Sequence, residues 1–217
     1  MAKSKNALPA RATTIVARLL KKYPNPKSAL NFATPLEMLA ATILSAQTTD
    51  AGVNKVTPVL FAKYKSAADY AAANTAQVEQ IIRPTGFYHN KTKSLKAMGK
   101  ALVENFAGSV PDNIDDLLTL PGVARKTANV VLGNAFGKAV GIAVDRHVAR
   151  VTARLGLTKN TDPVKIEQDL MKIVPQKNWI DFSHLIIFHG RETCTARKPK
   201  CDHCPLNDIC PSAFKVK

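Results

Sequence analysis

The sequence predicts an all-α protein arranged as two helical lobes. Three observations lead there. Apolar residues recur at helical spacing along most of the chain, and Pro, Gly and Ser/Thr/Asp/Asn punctuate it where helices would start and stop. Strand-like runs such as 140–144 are too short and isolated to build a sheet. Residues 9–23 set Ile15, Val16, Leu19 and Leu20 on one helical face with lysines opposite, and Pro24-Asn25-Pro26 ends that helix. Thr34-Pro35-Leu36-Glu37 reads as a capping box with proline at the first helical position, opening a helix over 36–45. Further helices are predicted over 50–63, 66–73, 75–82, 89–106 and 113–119. Pro121-Gly122 breaks one helix and starts another over 123–136, and Gly137 to Gly141 is a loop. A helix from Asp145 to Leu155 stops at Gly156, Asp162-Pro163 starts one to Ile173, and the last, over 178–189, is ended by Gly190. Composition shifts near 24–35 and after Gly137, bounding one lobe of about six helices at 29–139; residues 1–28 and 140–217 make a second, discontinuous lobe.

The 217 residues are ample for a core, and 46% hydrophobic content is ordinary for a globular chain. Lys and Arg number 31 against 16 Asp and Glu, a formal net charge of +15. That excess points to a polyanionic partner, most often nucleic acid; an anionic membrane surface is the competing explanation. No apolar run approaches the roughly 18 residues of a spanning helix. The opening Met-Ala-Lys-Ser-Lys-Asn lacks the apolar region of a signal peptide. The expectation is a soluble, cytoplasmic protein.

Leu120 to Asp145 concentrates the chemistry. Pro121-Gly122 starts a helix, so the Gly122, Val123 and Ala124 amides lie at a helix N-terminus, where unpaired N–H groups and the dipole favour an anion. Lys126 follows within about the first turn, and the carboxylate of Asp145 comes 19 residues later. A phosphate grip, an amine and an acid close in sequence suit chemistry on a nucleic acid backbone; an ordinary turn between core helices is the plainer alternative.

All four cysteines fall between 194 and 210, spaced C-x6-C-x2-C-x5-C as Cys194, Cys201, Cys204 and Cys210. Clustering in a basic chain argues for a metal site over disulfides. Zinc sites usually show two C-x2-C knuckles and here only one exists, which favours a cubane iron–sulfur cluster; zinc remains open, with His203 as a substitute ligand. Between the first two cysteines, Arg197, Lys198 and Lys200 would project from a loop pinned by metal, suited to phosphate because less conformational entropy is lost on binding.

The chain resembles the endonuclease III family of helix-hairpin-helix DNA glycosylases and AP lyases. Four signatures carry the resemblance: Leu44-Ser45-Ala46-Gln47-Thr48-Thr49-Asp50, Leu120-Pro121-Gly122-Val123-Ala124-Arg125-Lys126-Thr127-Ala128-Asn129, Ala143-Val144-Asp145-Arg146-His147, and the cysteine block with His189-Gly190-Arg191 before it. It spans nearly the whole chain, and the cysteine spacing matches that family's [4Fe-4S] loop without insertion.

The resemblance implies a six-helix barrel lobe with the hairpin and an iron–sulfur lobe, flanking a DNA-binding cleft. It implies a monomer acting in base excision repair on duplex DNA with damaged, mainly oxidised, pyrimidines or abasic sites, nucleoid-associated if the source is bacterial. The hairpin amides would hold a DNA phosphate, with a possible monovalent cation. Lys126 aligns with the nucleophile. An exposed lysine titrates near ~10.4, and a helix N-terminus, Arg125 and partial burial would all lower that value. Asp145 aligns with the catalytic carboxylate and could also cap its helix. Gln47 matches a polar plug and Phe87 an apolar wedge, which fill the space left by an extruded base. His147 and Arg191 fall beside the site, His147 most simply as a structural hydrogen-bond partner. Asp50 would line the base pocket or cap the next helix.

Two departures stand out: Ala124 replaces a second hairpin glycine, and one extra residue precedes Asp145, around Lys138–Gly141. If Ala124 needs positive φ it costs about 1 kcal/mol; if helical, nothing. The rival readings are the adenine-glycosylase branch, which lacks the hairpin lysine and extends past the cluster, and a non-catalytic iron–sulfur DNA-binding module. Lys126 together with Asp145, and an end seven residues after Cys210, speak for the lyase.

Overall fold

The computed structural model describes residues 7–216; the opening Met-Ala-Lys-Ser-Lys-Asn, which lacks the apolar region of a signal peptide, lies outside them. Helices are α1 Ala7–Lys22, α2 Pro35–Leu44, α3 Asp50–Lys63, α4 Ala67–Ala72, α5 Thr75–Ile82, α6 Tyr88–Phe106, α7 Ile114–Thr119, α8 Arg125–Phe136, α9 Arg146–Arg154, α10 Pro163–Ile173 and α11 Trp179–Glu192. Short 3-10 turns are the other regular elements, and no strand occurs among the described residues, so the protein is all-α.

Local chemistry accounts for the starts. Side chains of Thr34, Thr49, Ser66, Asn74, Asn113, Asp145 and Asp162 each accept a first-turn amide hydrogen. The box expected at Thr34 is half-formed, because the Glu37 carboxylate accepts the Ala33 amide one residue upstream. Thr49, not Asp50, caps α3, and Asp50 lies in its first turn. Gly190 does not end α11, which runs on to Glu192. A Cβ there would sit 3.1 Å from Val151 Cγ2 and 3.2 Å from His147 Cβ, so glycine serves close packing of α11 on α9.

The chain forms two compact units, Ser28–Lys138 and Met1–Lys27 with Ala139–Lys217. In the contiguous unit, α2 to α8 bury Met38, Leu39, Leu44, Leu60, Tyr70, Ile82, Leu95, Met98 and Leu102. The short α7 forms the hairpin with α8. In the discontinuous unit, Ala12, Ile15, Val16 and Leu19 of α1 pack with Val148, Val151, Ile166, Leu170, Phe182, Leu185 and Leu206. That shared core is why the N-terminal helix belongs with the cysteine-bearing end. No described helix is long and apolar enough to cross a membrane.

Candidate nucleic-acid interface and cluster loop

In the contiguous unit the hairpin is α7, a turn over 120–124, and α8. Gly122 takes φ +81°, a left-handed conformation that disfavours L side chains, and a Cβ there would lie 3.1 Å from Ser94 Cβ. The Val123 amide donates to Leu120 O at 3.1 Å, so of the three amides expected to face an anion this one closes the turn instead. Ala124 is neither helical nor at positive φ. It is the N-cap of α8 at φ −90° and ψ 168°, an extended conformation that alanine adopts without strain. Alanine is a poor cap, worth ~1 kcal/mol less than Ser or Asp, and no side chain caps α8. A helix start without a side-chain cap suits an external acceptor such as a phosphate oxygen. Lys126 stands in its first turn and is exposed, so the partial burial expected for it is not supplied by this chain alone.

Gln47 and Phe87 share an open pocket with Ile43, Ala46, Asn90, Lys91, Ser94 and Gly122. Both are exposed and both are left-handed, at φ 54° and 49°. A bulky non-glycine residue in that region costs of order 1 kcal/mol or more. Phe87, 63% exposed at the N-cap of α6, is not the core residue its apolarity alone would suggest. Of the five described non-glycine residues with positive φ, three (Gln47, Phe87 and Lys198) are ones the sequence marks for DNA contact.

In the discontinuous unit, buried Ile142, Ala143 and Val144 lead to Asp145, the N-cap of α9. One oxygen, Oδ1, accepts both the His147 amide at 2.7 Å and the Val148 amide at 2.8 Å. Capping therefore occupies a single oxygen of the half-buried carboxylate. His147 Nδ1 lies 3.2 Å from Arg150 Nη2, and burial pushes its pKa down against the pull of Asp145. A neutral imidazole in a structural contact follows. Arg191, at the end of α11, is exposed.

The four cysteines are free thiols, each partly buried. Cys194, Cys204 and Cys210 pack against the unit's apolar core, and the other three thiols lie near enough to Cys204 to act on it electrostatically. Burial pushes the Cys204 and Cys210 thiols up, opposed by the backbone N–H groups of Leu206 toward Cys204 and of Ser212 and Ala213 toward Cys210. Arg154 Nη1 approaches Cys194 Sγ at 3.4 Å, the Phe214 amide approaches Cys201 Sγ at 3.4 Å, and His189 Nε2 lies 3.6 Å from Cys204 Sγ. N–H donors aimed at sulfur in an apolar setting suit a thiolate-held cluster. Among the described residues no three His, Cys, Asp or Glu side chains close on a single ion. Four ligands around a four-iron body need not approach as the ligands of one zinc must. The residues fit an iron–sulfur cluster.

The loop between the first two cysteines is held by more than sulfur. Arg154 donates to Thr195 O at 2.7 Å and Ala196 O at 2.8 Å, Arg150 donates to Cys194 O at 3.0 Å, and the Thr195 hydroxyl donates to Arg197 O at 2.7 Å. Arg197, Lys198 and Lys200 are exposed on it. Arg150 and Arg154 were missed by sequence reading, although two arginines one turn apart on a helix ahead of a cysteine loop are a usable signal.

Comparison with known proteins completes the picture. Residues 40–176 match the HhH-GPD superfamily of base excision DNA repair proteins, and residues 194–210 match the iron-sulfur binding domain of endonuclease III. The chain is 53% identical over 203 residues to endonuclease III of Synechocystis sp., covering 94% of this chain and 93% of the relative. A solved non-covalent endonuclease III–DNA complex superposes with a TM-score of 0.90 at 41% identity, covering 95% of this chain and 97% of that one. A trapped endonuclease III–DNA covalent intermediate matches with the same TM-score, 0.90, and identity, 41%.

Proposed function

The chain belongs to the endonuclease III family of HhH-GPD base excision repair proteins, and from that membership we propose that Lys126 is its nucleophile and Asp145 its catalytic carboxylate. The protein is a DNA glycosylase and AP lyase that acts on DNA and carries an iron–sulfur domain. Oxidised pyrimidines are the proposed targets, and the cytoplasm, at the nucleoid in a bacterium, is the proposed location.

The observation that carries the assignment is Lys126 in the first turn of a helix with no side-chain cap, in a hairpin whose turn is made by left-handed Gly122. A phosphate held by the uncapped amides would bring the adjacent deoxyribose to the amine. The neutral Lys126 Nζ attacks C1′; the C1′–N bond breaks and the base leaves with its electron pair, taking up a proton. The Nζ lone pair then breaks the C1′–O4′ bond, O4′ takes up the proton that Asp145 had accepted, and the opened sugar carries a protonated imine between Nζ and C1′. Loss of a C2′ proton then expels the 3′ phosphate, nicking the strand by β-elimination. Asp145 stabilises the positive charge that develops on the sugar and accepts the proton that Nζ sheds, with the oxygen not engaged in capping. Gln47 and Phe87 fill the space left by the extruded base. Cys194, Cys201, Cys204 and Cys210 would hold the cluster, which when bound fixes the loop presenting Arg197, Lys198 and Lys200. Arg191 contacts phosphate in the same reading, and a monovalent cation at the hairpin belongs to it as well.

Borohydride reduces an imine to a stable amine, so it should link the iron-loaded protein covalently to an abasic duplex, and Lys126→Ala should give no adduct. An adduct that persists in Lys126→Ala removes Lys126 as nucleophile. No adduct with wild type defeats the lyase assignment. Duplexes carrying one defined lesion each should show faster excision of oxidised pyrimidines than of damaged purines.

A further inference from the structure

Beyond these roles, the contiguous unit contains a buried cation that the proposed chemistry does not use. Lys91 is 5% exposed, in the first turn of α6. Its Nζ donates to the Thr48 hydroxyl at 2.7 Å and to the Thr85 carbonyl at 2.8 Å. The Thr48 hydroxyl in turn donates to the same Thr85 carbonyl at 2.5 Å, closing a three-membered ring of hydrogen bonds. Thr85 is itself buried, and its own hydroxyl donates to Ile82 O at 2.7 Å.

The two threonines are not arbitrary neighbours. Thr48 directly follows Gln47, and Thr85 lies two residues before Phe87 across Gly86. Gln47, Gly86 and Phe87 all have positive φ, at 54°, 66° and 49°. Such conformations persist in non-glycine residues only where the surroundings over-determine them. No side-chain hydrogen bond caps α6, so its own start does not fix Phe87. A lysine buried to this degree is expensive, and burial lowers the pKa of Lys91. A methionine or leucine would fill the same volume without that cost, so the charge calls for a reason beyond packing.

We propose that Lys91 is a positioning residue that clamps the Gln47 turn to the Phe87 turn, so that plug and wedge enter DNA as one preorganised unit. The role rests on insertion of Gln47 and Phe87 as proposed above. Its physical content is entropic and geometric. Two exposed side chains on separate loops, 40 residues apart in sequence, must reach opposite strands of one opened step. Cross-linking their backbones through a buried ammonium removes the freedom that insertion would otherwise have to freeze. Misplacement of either turn by ~1 Å would be felt in the rate without touching the reacting atoms.

The test uses full-length, iron-loaded protein and two variants, Lys91→Met, which keeps the stem and removes the donors, and Thr48→Val, which removes the shared hydroxyl. Stack opening is read by the fluorescence of 2-aminopurine beside a lesion in duplex DNA, with single-turnover excision measured on the same duplex. Borohydride trapping on a single-stranded abasic oligonucleotide supplies a reaction with no stack to open. Both variants should lose the fluorescence rise and slow duplex excision about tenfold or more, while single-strand trapping changes less than about twofold. Equal losses in both reactions, or wild-type fluorescence in both variants, overturn the clamp. Gln47→Ala and Phe87→Ala separate this from failure of the underlying reading. If they leave the fluorescence intact, insertion itself is wrong; if they abolish it while the Lys91 and Thr48 variants behave as wild type, only the clamp is wrong. Should Lys91→Met not fold, Thr48→Val decides alone.

Discussion

At the scale of single residues, the proposed mechanism gives Asp145 a duty separable from its observed role as N-cap. As N-cap it offers Oδ1 to two amides, and asparagine caps about as well as aspartate. Asp145→Asn should therefore melt within a few tenths of a kcal/mol of wild type yet lose catalysis, because an amide neither carries the charge nor accepts the proton. Asp145→Ala should lose catalysis and also ~1 kcal/mol of stability. Thermal melts beside single-turnover excision check both, and an active Asp145→Asn would reduce Asp145 to a cap. The places of Lys126 and Asp145 at helix starts were legible because residue type and local order suffice, Pro121-Gly122 ahead of one helix and an acid ahead of an apolar stripe in the other; the positive φ of Gly122 was not anticipated. The Thr48–Lys91–Thr85 ring was not. Its members lie up to 43 residues apart, and a lysine in a basic sequence gives no sign that it will be buried. Phe87 inverted the usual inference from apolarity to burial, and only the family resemblance singled it out as the proposed wedge.

At the scale of elements, the cluster loop is fastened by α9 as well as by sulfur. Arg154 alone reaches Cys194 Sγ, Thr195 O and Ala196 O. Arg154→Met should leave four thiolates able to load iron but let the loop open. The visible absorbance of the iron–sulfur centre should then bleach faster under a chelator, and DNA affinity should fall about tenfold, worth ~1.4 kcal/mol. Bleaching at the wild-type rate would show that the sulfurs alone fix the loop. Helix positions were largely readable, because caps and prolines are local signals. The failures were tertiary: Gly190, read as a stop, sits inside α11 because α9 packs too close for any Cβ. The capping residue of α3 moved by one position because Thr49 and Asp50 offer similar chemistry and only backbone geometry chooses between them.

At the scale of the whole molecule, the +15 charge predicts how binding responds to salt. DNA affinity should fall steeply on a log–log plot against salt, and removing Arg197, Lys198 or Lys200 singly should shallow that slope by about one while weakening damaged and undamaged duplexes alike. A loss confined to damaged DNA would place these side chains at the lesion instead. The division into units has a further consequence, for synthesis. The unit of α2 to α8 is continuous, so it can fold as soon as it leaves the ribosome. Helix α1 is made before that unit yet finds its partners after it: Arg18 bonds to Pro205 O and Asp208 across 187 and 190 residues. Its apolar face, Ile15, Val16 and Leu19, has no core to join until α9 to α11 are made. The iron-binding unit can thus be completed only after α9 to α11 have been made, and a chain lacking them would leave that face open to aggregation.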